Sequence, residues 1–308
     1  MIPFRKILVP LDFSEPSKRA LDYALAFATR FNAKLVVTHV IPEISTLSYA
    51  FPIENLAIEI NQRERAVQEI RTLIPDQRSK LVDLHTIVRV GRVEDSLLQI
   101  MDEERVDLVI MGSHGRRNFR RWFLGSITEH ILRKVPVPIL TVSHIEEARY
   151  PFGGGVTSFK RLLYATDLGE SAATGLEYAT ELAHQFSAEL TVMNVVEYLN
   201  VSYEAAAYLG NERAERLQTT QRQLDAFVNR QNPHNLHLKT IVVEGKAYER
   251  ILATAEEMNA DCIVMNLQSK GLLERAFLGS TAERVVRLAT IPVLSIPADV
   301  SKSERMVD

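Results

Sequence analysis

The stretch DLVIMGSHGRRNFRRWFLGSITEHILRKVPVPIL, Asp107 to Leu140, decides the fold. It opens on Leu108, Val109, Ile110 and Met111, a short β-branched run that reads as a buried strand. Gly112, Ser113, His114 and Gly115 break that run, an arginine-rich segment follows, and a further glycine, Gly125, precedes Ser126. From Ser126 to Lys134 the apolar residues Ile127, Ile131 and Leu132 recur at helical spacing. Ser126 is placed as N-cap, and Glu129 three residues on completes a capping box. The order is therefore buried strand, glycine loop, helix N-terminus. Such an arrangement gathers free backbone N–H groups and the positive end of a helix at one point, which suits a phosphate. Glycine lets the anion come close to those amides.

Reading outward, the whole unit is written twice. KILVPLDFSEPSKRALDYALAFATRFNAKLVVTHVI, from Lys6, repeats as RLLYATDLGESAATGLEYATELAHQFSAELTVMNVV, from Arg161, with Asp12 and Asp167 separated by 155 residues. Gly91 recurs as Gly245, Gly125-Ser126 as Gly279-Ser280 and Pro138 as Pro292, each 154 residues on. An offset kept from end to end means duplication. The division expected is residues 1–145, a linker over 146–159 marked by Pro151 and Gly153-Gly154-Gly155, and a second copy over 160–300. The glycine triplet is no Walker loop, because no glycine directly precedes Lys160.

Within a copy, strands and helices alternate. In the first, Lys6–Leu11 reads as a strand, Glu15–Phe31 as a helix with Ala20, Leu21, Ala24, Leu25 and Ala28 on one face, and Leu35–Val40 as a strand. A helix from about Glu54 to Leu73, a strand over Leu84–Val90, a helix over Glu94–Glu104 and a last strand over Val137–Val142 complete the unit. This predicts an α/β chain of two tandem domains, each a five-stranded parallel, Rossmann-like sheet with helices on both faces. Ligands of such sheets bind beyond the carboxyl ends of the strands. Asp12, Val40, Gly91 and Gly112 stand at those ends and are expected to face one crevice.

Composition narrows the function classes. The chain has 308 residues, 46% of them hydrophobic and 24% charged, with a net charge of −3. That balance speaks against nucleic acid or an anionic lipid surface as a general partner. Its single cysteine, Cys262, excludes an intrachain disulfide and reads as a buried thiol within an apolar run. No secretory signal pattern or membrane-length apolar run occurs, so a cytoplasmic protein is expected.

The glycine spacing of the first copy resembles the nucleotide loop of the universal stress protein family, matching it at Gly112, Gly115, Gly125 and Ser126. Resemblance extends over nearly the whole chain, which looks like a tandem member with the adenine nucleotide α-hydrolase-like fold. It implies ATP as the ligand, Mg²⁺ arriving with the triphosphate, and ATP turnover that is slow where present. On the residues alone, Asp12, after Pro10 and Leu11, is either an acceptor for an adenine amino group or ribose hydroxyl, or one of two candidates, with Ser14, for the cap of the helix that follows. The resemblance favours the adenine side, and places the backbone of Val40 against the base. His114 and Arg116, with Met111 and Ile127 flanking the loop, complete the expected ATP contacts. Arg117, Arg120 and Arg121, interleaved with Phe119 and Trp122, read as a solvated loop anchored by its aromatics.

In the second copy Asp167, Val195, Gly279, Ser280 and Thr281 match, but Asn266 and Ser269 replace Gly112 and Gly115, and Gly271 lies two residues late. Side chains there are expected to crowd a phosphate, making this the weaker site. The sequence Asn232-Pro233-His234 with His237 lacks acidic or cysteine partners nearby, so no metal site is read. Family members usually pair through their last strands, which implies pairing of the two copies within the chain and allows a homodimer. No catalytic constellation is visible. Two other classes remain: an adenylyl-transfer enzyme using the same crevice, and an interaction or apolar-ligand protein using the segments with Tyr49, Phe51, Tyr198, Tyr203 and Tyr208.

Overall fold

The computed structural model describes residues 4–43, 52–74, 79–113, 124–143, 159–197, 210–232, 234, 236–267, 279–298 and 300. The chain divides into two compact units at Thr157–Ser158. In the first, the strands are β1 (Lys6–Pro10), β2 (Lys34–Pro42), β3 (Leu84–Gly91), β4 (Leu108–Gly112) and β5 (Ile139–Val142). Its helices are α1 (Glu15–Phe31), α2 (Pro52–Leu73), α3 (Val93–Glu103) and α4 (Ser126–Lys134). The second has β6 (Arg161–Ala165), β7 (Glu189–Val196), β8 (Lys239–Glu244), β9 (Cys262–Leu267) and β10 (Val293–Pro297). With them come α5 (Ala172–Phe186), α6 (Gly210–Gln231), α7 (Ala247–Glu257) and α8 (Ser280–Leu288).

The continuous apolar runs become inner strands because both faces of each sheet are covered. Ile7, Leu8, Val9, Leu108, Val109 and Ile110 are all fully buried, each contributing on the order of 1.5–3 kcal/mol of transfer free energy. The face of α1 read from its spacing, Ala20, Leu21, Ala24, Leu25 and Ala28, is buried against this sheet. Ser14 caps α1, accepting from the Ser17 N–H at 3.4 Å. Asn32, left-handed at φ 52°, ends it, and Ser187 ends α5 in the same way at φ 54°. Cys262 is fully buried.

Strand order in the first unit is β3-β2-β1-β4-β5, all parallel, and in the second β8-β7-β6-β9-β10. The chain runs outward from β1 through β2 to β3, then returns to lay β4 on the other side of β1. Successive connections therefore diverge between β1 and β4, and between β6 and β9, which opens a crevice at those carboxyl ends. Gly91 ends β3 with φ 154° and turns the chain into α3, which starts at Val93.

Candidate functional site

In the first unit the crevice is bordered by the ends of β1, β2 and β4 and by the start of α4. Pro10 pairs with Thr38, and the Leu11 N–H donates to the Thr38 carbonyl at 2.7 Å. Asp12 therefore leaves the sheet level with Val40. Its carboxylate accepts from the Ser14 amide at 3.0 Å and the Ser14 hydroxyl at 2.5 Å, bridging Phe13, which is left-handed at φ 63°. In the second unit Asp167 accepts from the Gly169 amide at 2.8 Å across Leu168, at φ 58°. Both aspartates thus close a local turn ahead of the helix; the N-cap of α1 is Ser14 and that of α5 is Ser171.

At the other side of the crevice, the Ser113 amide donates to Val142 at 2.9 Å and the Gly125 amide returns to the Ser113 carbonyl at 2.8 Å. The buried Thr128 hydroxyl donates to the Gly112 carbonyl at 2.9 Å. Sequence reading missed this threonine, which ties the first turn of α4 to the end of β4. His114, Gly115, Arg116 and the rest of the arginine run lie outside the described residues, as do Ser269, Gly271, the glycine triplet and the tyrosines of the alternative ligand surface.

One expectation is corrected. Ser126 is the first helical residue rather than the N-cap; Gly125 holds that place, and no side chain caps the helix. Glu129 reaches forward to Arg133, 2.7 Å away one turn on, so the capping box does not form. Gly279 caps α8 with no side-chain hydrogen bond either. Both helices consequently present first-turn amides without a side-chain acceptor, at the positive end of the dipole.

Gly112 has a packing reason that its sequence did not disclose. A Cβ there would lie 2.8 Å from Pro16 Cβ and 3.0 Å from the Pro16 carbonyl carbon, so the strand end rests directly on the start of α1. Asn266, its counterpart, is accommodated differently. Its amide nitrogen donates to the Ser171 carbonyl at 2.9 Å, and its oxygen accepts from the Tyr164 hydroxyl at 2.8 Å. Gly175 in α5 leaves the room, since a Cβ there would stand 2.1 Å from the Asn266 oxygen. The amide is thus tied to α5, while Asn266 also forms part of the wall of a cavity in the second unit. Burial pushes the Tyr164 phenol well above its ordinary pKa.

In the second unit Asp167, Val195, Gly279, Ser280 and Thr281 all line one cavity of about 380 Å³. Thr166, Met193 and Met265 form part of its wall. Its size lies in the range of small-molecule sites. Among the described residues no helix is long and apolar enough to cross a membrane.

Comparison with known proteins agrees with this architecture. The model of the universal stress protein family matches twice, over residues 3–143 and 158–297. Universal stress protein MJ0577 of Methanocaldococcus jannaschii is 31% identical over 155 residues, which cover 46% of this chain and 96% of that protein. A universal stress protein of Thermus aquaticus is 31% identical over 140 residues, covering 45% of this chain and 98% of its own length. Each therefore corresponds to about one of the two copies. The crystal structure of a universal stress protein from Archaeoglobus fulgidus superposes with a TM-score of 0.70 at 23% identity, covering 96% of this chain and all of that one. That likeness concerns the fold.

Proposed function

We propose an ATP-binding, regulatory role for this chain, which belongs to the universal stress protein family. The reading rests chiefly on the start of α4, whose first-turn amides have no side-chain cap and lie beside the β1–β4 switch point. Such a helix end accepts a phosphate with backbone donors and a favourable dipole. In this reading Gly112, His114, Gly115, Arg116, Gly125, Ser126 and Ile127 hold the triphosphate. Asp12, Val40 and the Pro10–Leu11 backbone take the adenosine end, with Met111 beneath. ATP, when bound, brings its own Mg²⁺ and supplies a charge state that this chain senses. The second copy is the weaker site, formed by Asp167, Val195, Gly279, Ser280 and Thr281, and turnover is slow at most.

Two substitutions separate the copies without threatening the fold. Ser126 and Ser280 are exposed first residues of their helices, where a glutamate favours the helix but repels a phosphate. Calorimetric titration of Mg-ATP into the full chain is expected to show one tight site. Ser126→Glu weakens it by about 30-fold, the equivalent of ~2 kcal/mol of like-charge repulsion near a protein surface. Ser280→Glu leaves it intact. Loss in Ser280→Glu alone transfers the site to the second copy, and no heat from the unaltered chain defeats the proposal.

A further inference from the structure

The second copy carries a cluster remote from the crevice that the nucleotide reading does not use. Glu181 and His184 lie three residues apart on one face of α5, the Glu-x-x-His spacing that presents two ligands together. His234 arrives from the turn after α6, and its Nε2 stands 3.1 Å from Glu181 Oε2. The rings of His184 and His234 are stacked, with centroids 4.5 Å apart and planes 8° from parallel. One ligand atom from each of the three residues lies within 4.8 Å of the others. We propose that Glu181, His184 and His234 form a divalent transition-metal site suited to Zn²⁺.

Four features carry this assignment. First, the carboxylate is held ready: its side chain is 4% exposed, and its other oxygen accepts from Gln185 Nε2 at 2.9 Å. A hydrogen bond to the far oxygen of a ligating carboxylate fixes its direction, as supporting partners do in metal sites. Second, the turn that delivers His234 is closed by Asn232. Its amide nitrogen donates to the Leu236 carbonyl at 2.7 Å, and its oxygen accepts from the Leu236 N–H at 3.1 Å. Third, the donor set is two imidazoles and one carboxylate, which suits Zn²⁺ rather than Mg²⁺ or Ca²⁺. Bonds of about 2.0–2.1 Å at tetrahedral angles require ligand atoms about 3.4 Å apart. Glu181 and His234 already meet that spacing, and the exposed His184 has freedom to close the remainder. Fourth, the fold does not need the cluster, since the first copy has Ala26 and Thr29 at the positions of Glu181 and His184.

Absence of a nearby acid in the sequence had argued against a metal at His234; the acid comes from a helix 53 residues earlier, while His237 is no part of the cluster. Because α5 begins beside Asn266 and ends beyond His184, the site sits roughly 20 Å from the cavity by helical rise. Zn²⁺ there clips the end of α5 to the turn that feeds β8, leaving a fourth position on the solvent side for water.

The test uses the full chain, stripped with a chelator and titrated with Zn²⁺ by calorimetry, alongside thermal unfolding. One equivalent with a micromolar or tighter dissociation constant and a raised midpoint is expected. His184 is exposed, so His184→Ala leaves the fold intact while weakening binding at least ~10-fold and abolishing the thermal shift. His237→Ala binds as the unaltered chain does. Equal Zn²⁺ affinity in His184→Ala, or no binding by the unaltered chain, overturns the assignment and leaves a buried Glu–His pair.

Discussion

The first copy brings the end of β4 onto α1 through a glycine, whereas the second brings β9 onto α5 through an asparagine and moves the vacancy into the helix. Val9, Ala20 and Gly112 in one copy stand where Tyr164, Gly175 and Asn266 stand in the other. Each set fills the same joint. In the first the backbones touch directly, with Gly112 against Pro16. In the second a phenol and an amide fill the gap and satisfy one another and the Ser171 carbonyl. The comparison teaches that a lost loop glycine need not mean a lost crevice. Bulk added at Asn266 was absorbed sideways, and the cavity beside it remains.

The strongest way to break this account is Gly175→Ala. The new methyl would lie 2.1 Å from the Asn266 oxygen and 2.4 Å from the Tyr164 hydroxyl. Overpacking and the displaced hydrogen bonds outweigh the ~1 kcal/mol that alanine gains in helix propensity, for a net loss of about 3 kcal/mol. Adding Tyr164→Val and Asn266→Gly restores the first copy's set and should recover most of it, a non-additivity expected of residues in contact. Urea unfolding of the single and triple variants decides. A neutral Gly175→Ala would show that Asn266 swings aside freely and that the joint is not a coupled unit.

A smaller effect sharpens the same contrast. Tyr164→Phe removes the hydroxyl that lies 2.8 Å from both the Asn266 oxygen and the Ala172 carbonyl, at a cost of about 1–2 kcal/mol. Its pH dependence has a definite sign. Burial raises the folded-state pKa of Tyr164 above its ordinary value of 10.0, so the neutral phenol's contribution is full below about pH 10 and lost as pH climbs beyond it. The unaltered chain should therefore lose stability faster than Tyr164→Phe above pH 10, by up to ~1.4 kcal/mol per pH unit. Parallel alkaline profiles would mean that the phenol reaches solvent. Val9 gives the first copy no such dependence.

Much of this architecture was legible because it is written in local pattern. Apolar runs marked the strands, α1 was bounded at Glu15 and Phe31 by its spacing, and the repeat fixed the division into two copies. What escaped depends on residues far apart. Gly112 could be read as an anion loop, but its contact with Pro16 lies 96 positions away. The direction of Asn266 is set by Gly175 and Tyr164, which no local period connects to it. Ser126 and Glu129 fit the capping-box spelling, yet the helix begins one residue earlier, with Gly125 as its N-cap, and Glu129 finds Arg133. The Glu181–His184–His234 cluster was hidden because one of its ligands comes from a different supersecondary unit.

The smallest expected effect concerns a feature that the copies share. Asp107, just before β4, accepts from the Arg5 amide at 2.8 Å and the Lys6 amide at 3.1 Å, and returns its own amide to the Lys6 carbonyl at 3.0 Å. Asp261 does the same for Lys160 and Arg161, at 2.7 and 2.8 Å, with its amide 2.7 Å from the Arg161 carbonyl. Each carboxylate locks the entry of one central strand to the next. These bonds are largely exposed, so water replaces them when the carboxylate is removed. Asp107→Ala and Asp261→Ala should therefore each cost only about 1 kcal/mol. Their costs should agree within ~0.5 kcal/mol, because neither aspartate touches the joint where the copies diverge. A difference above about 1 kcal/mol would show that the exchange of Gly112 for Asn266 has altered coupling across the whole β6–β9 pair, extending the divergence from one joint to the sheet itself.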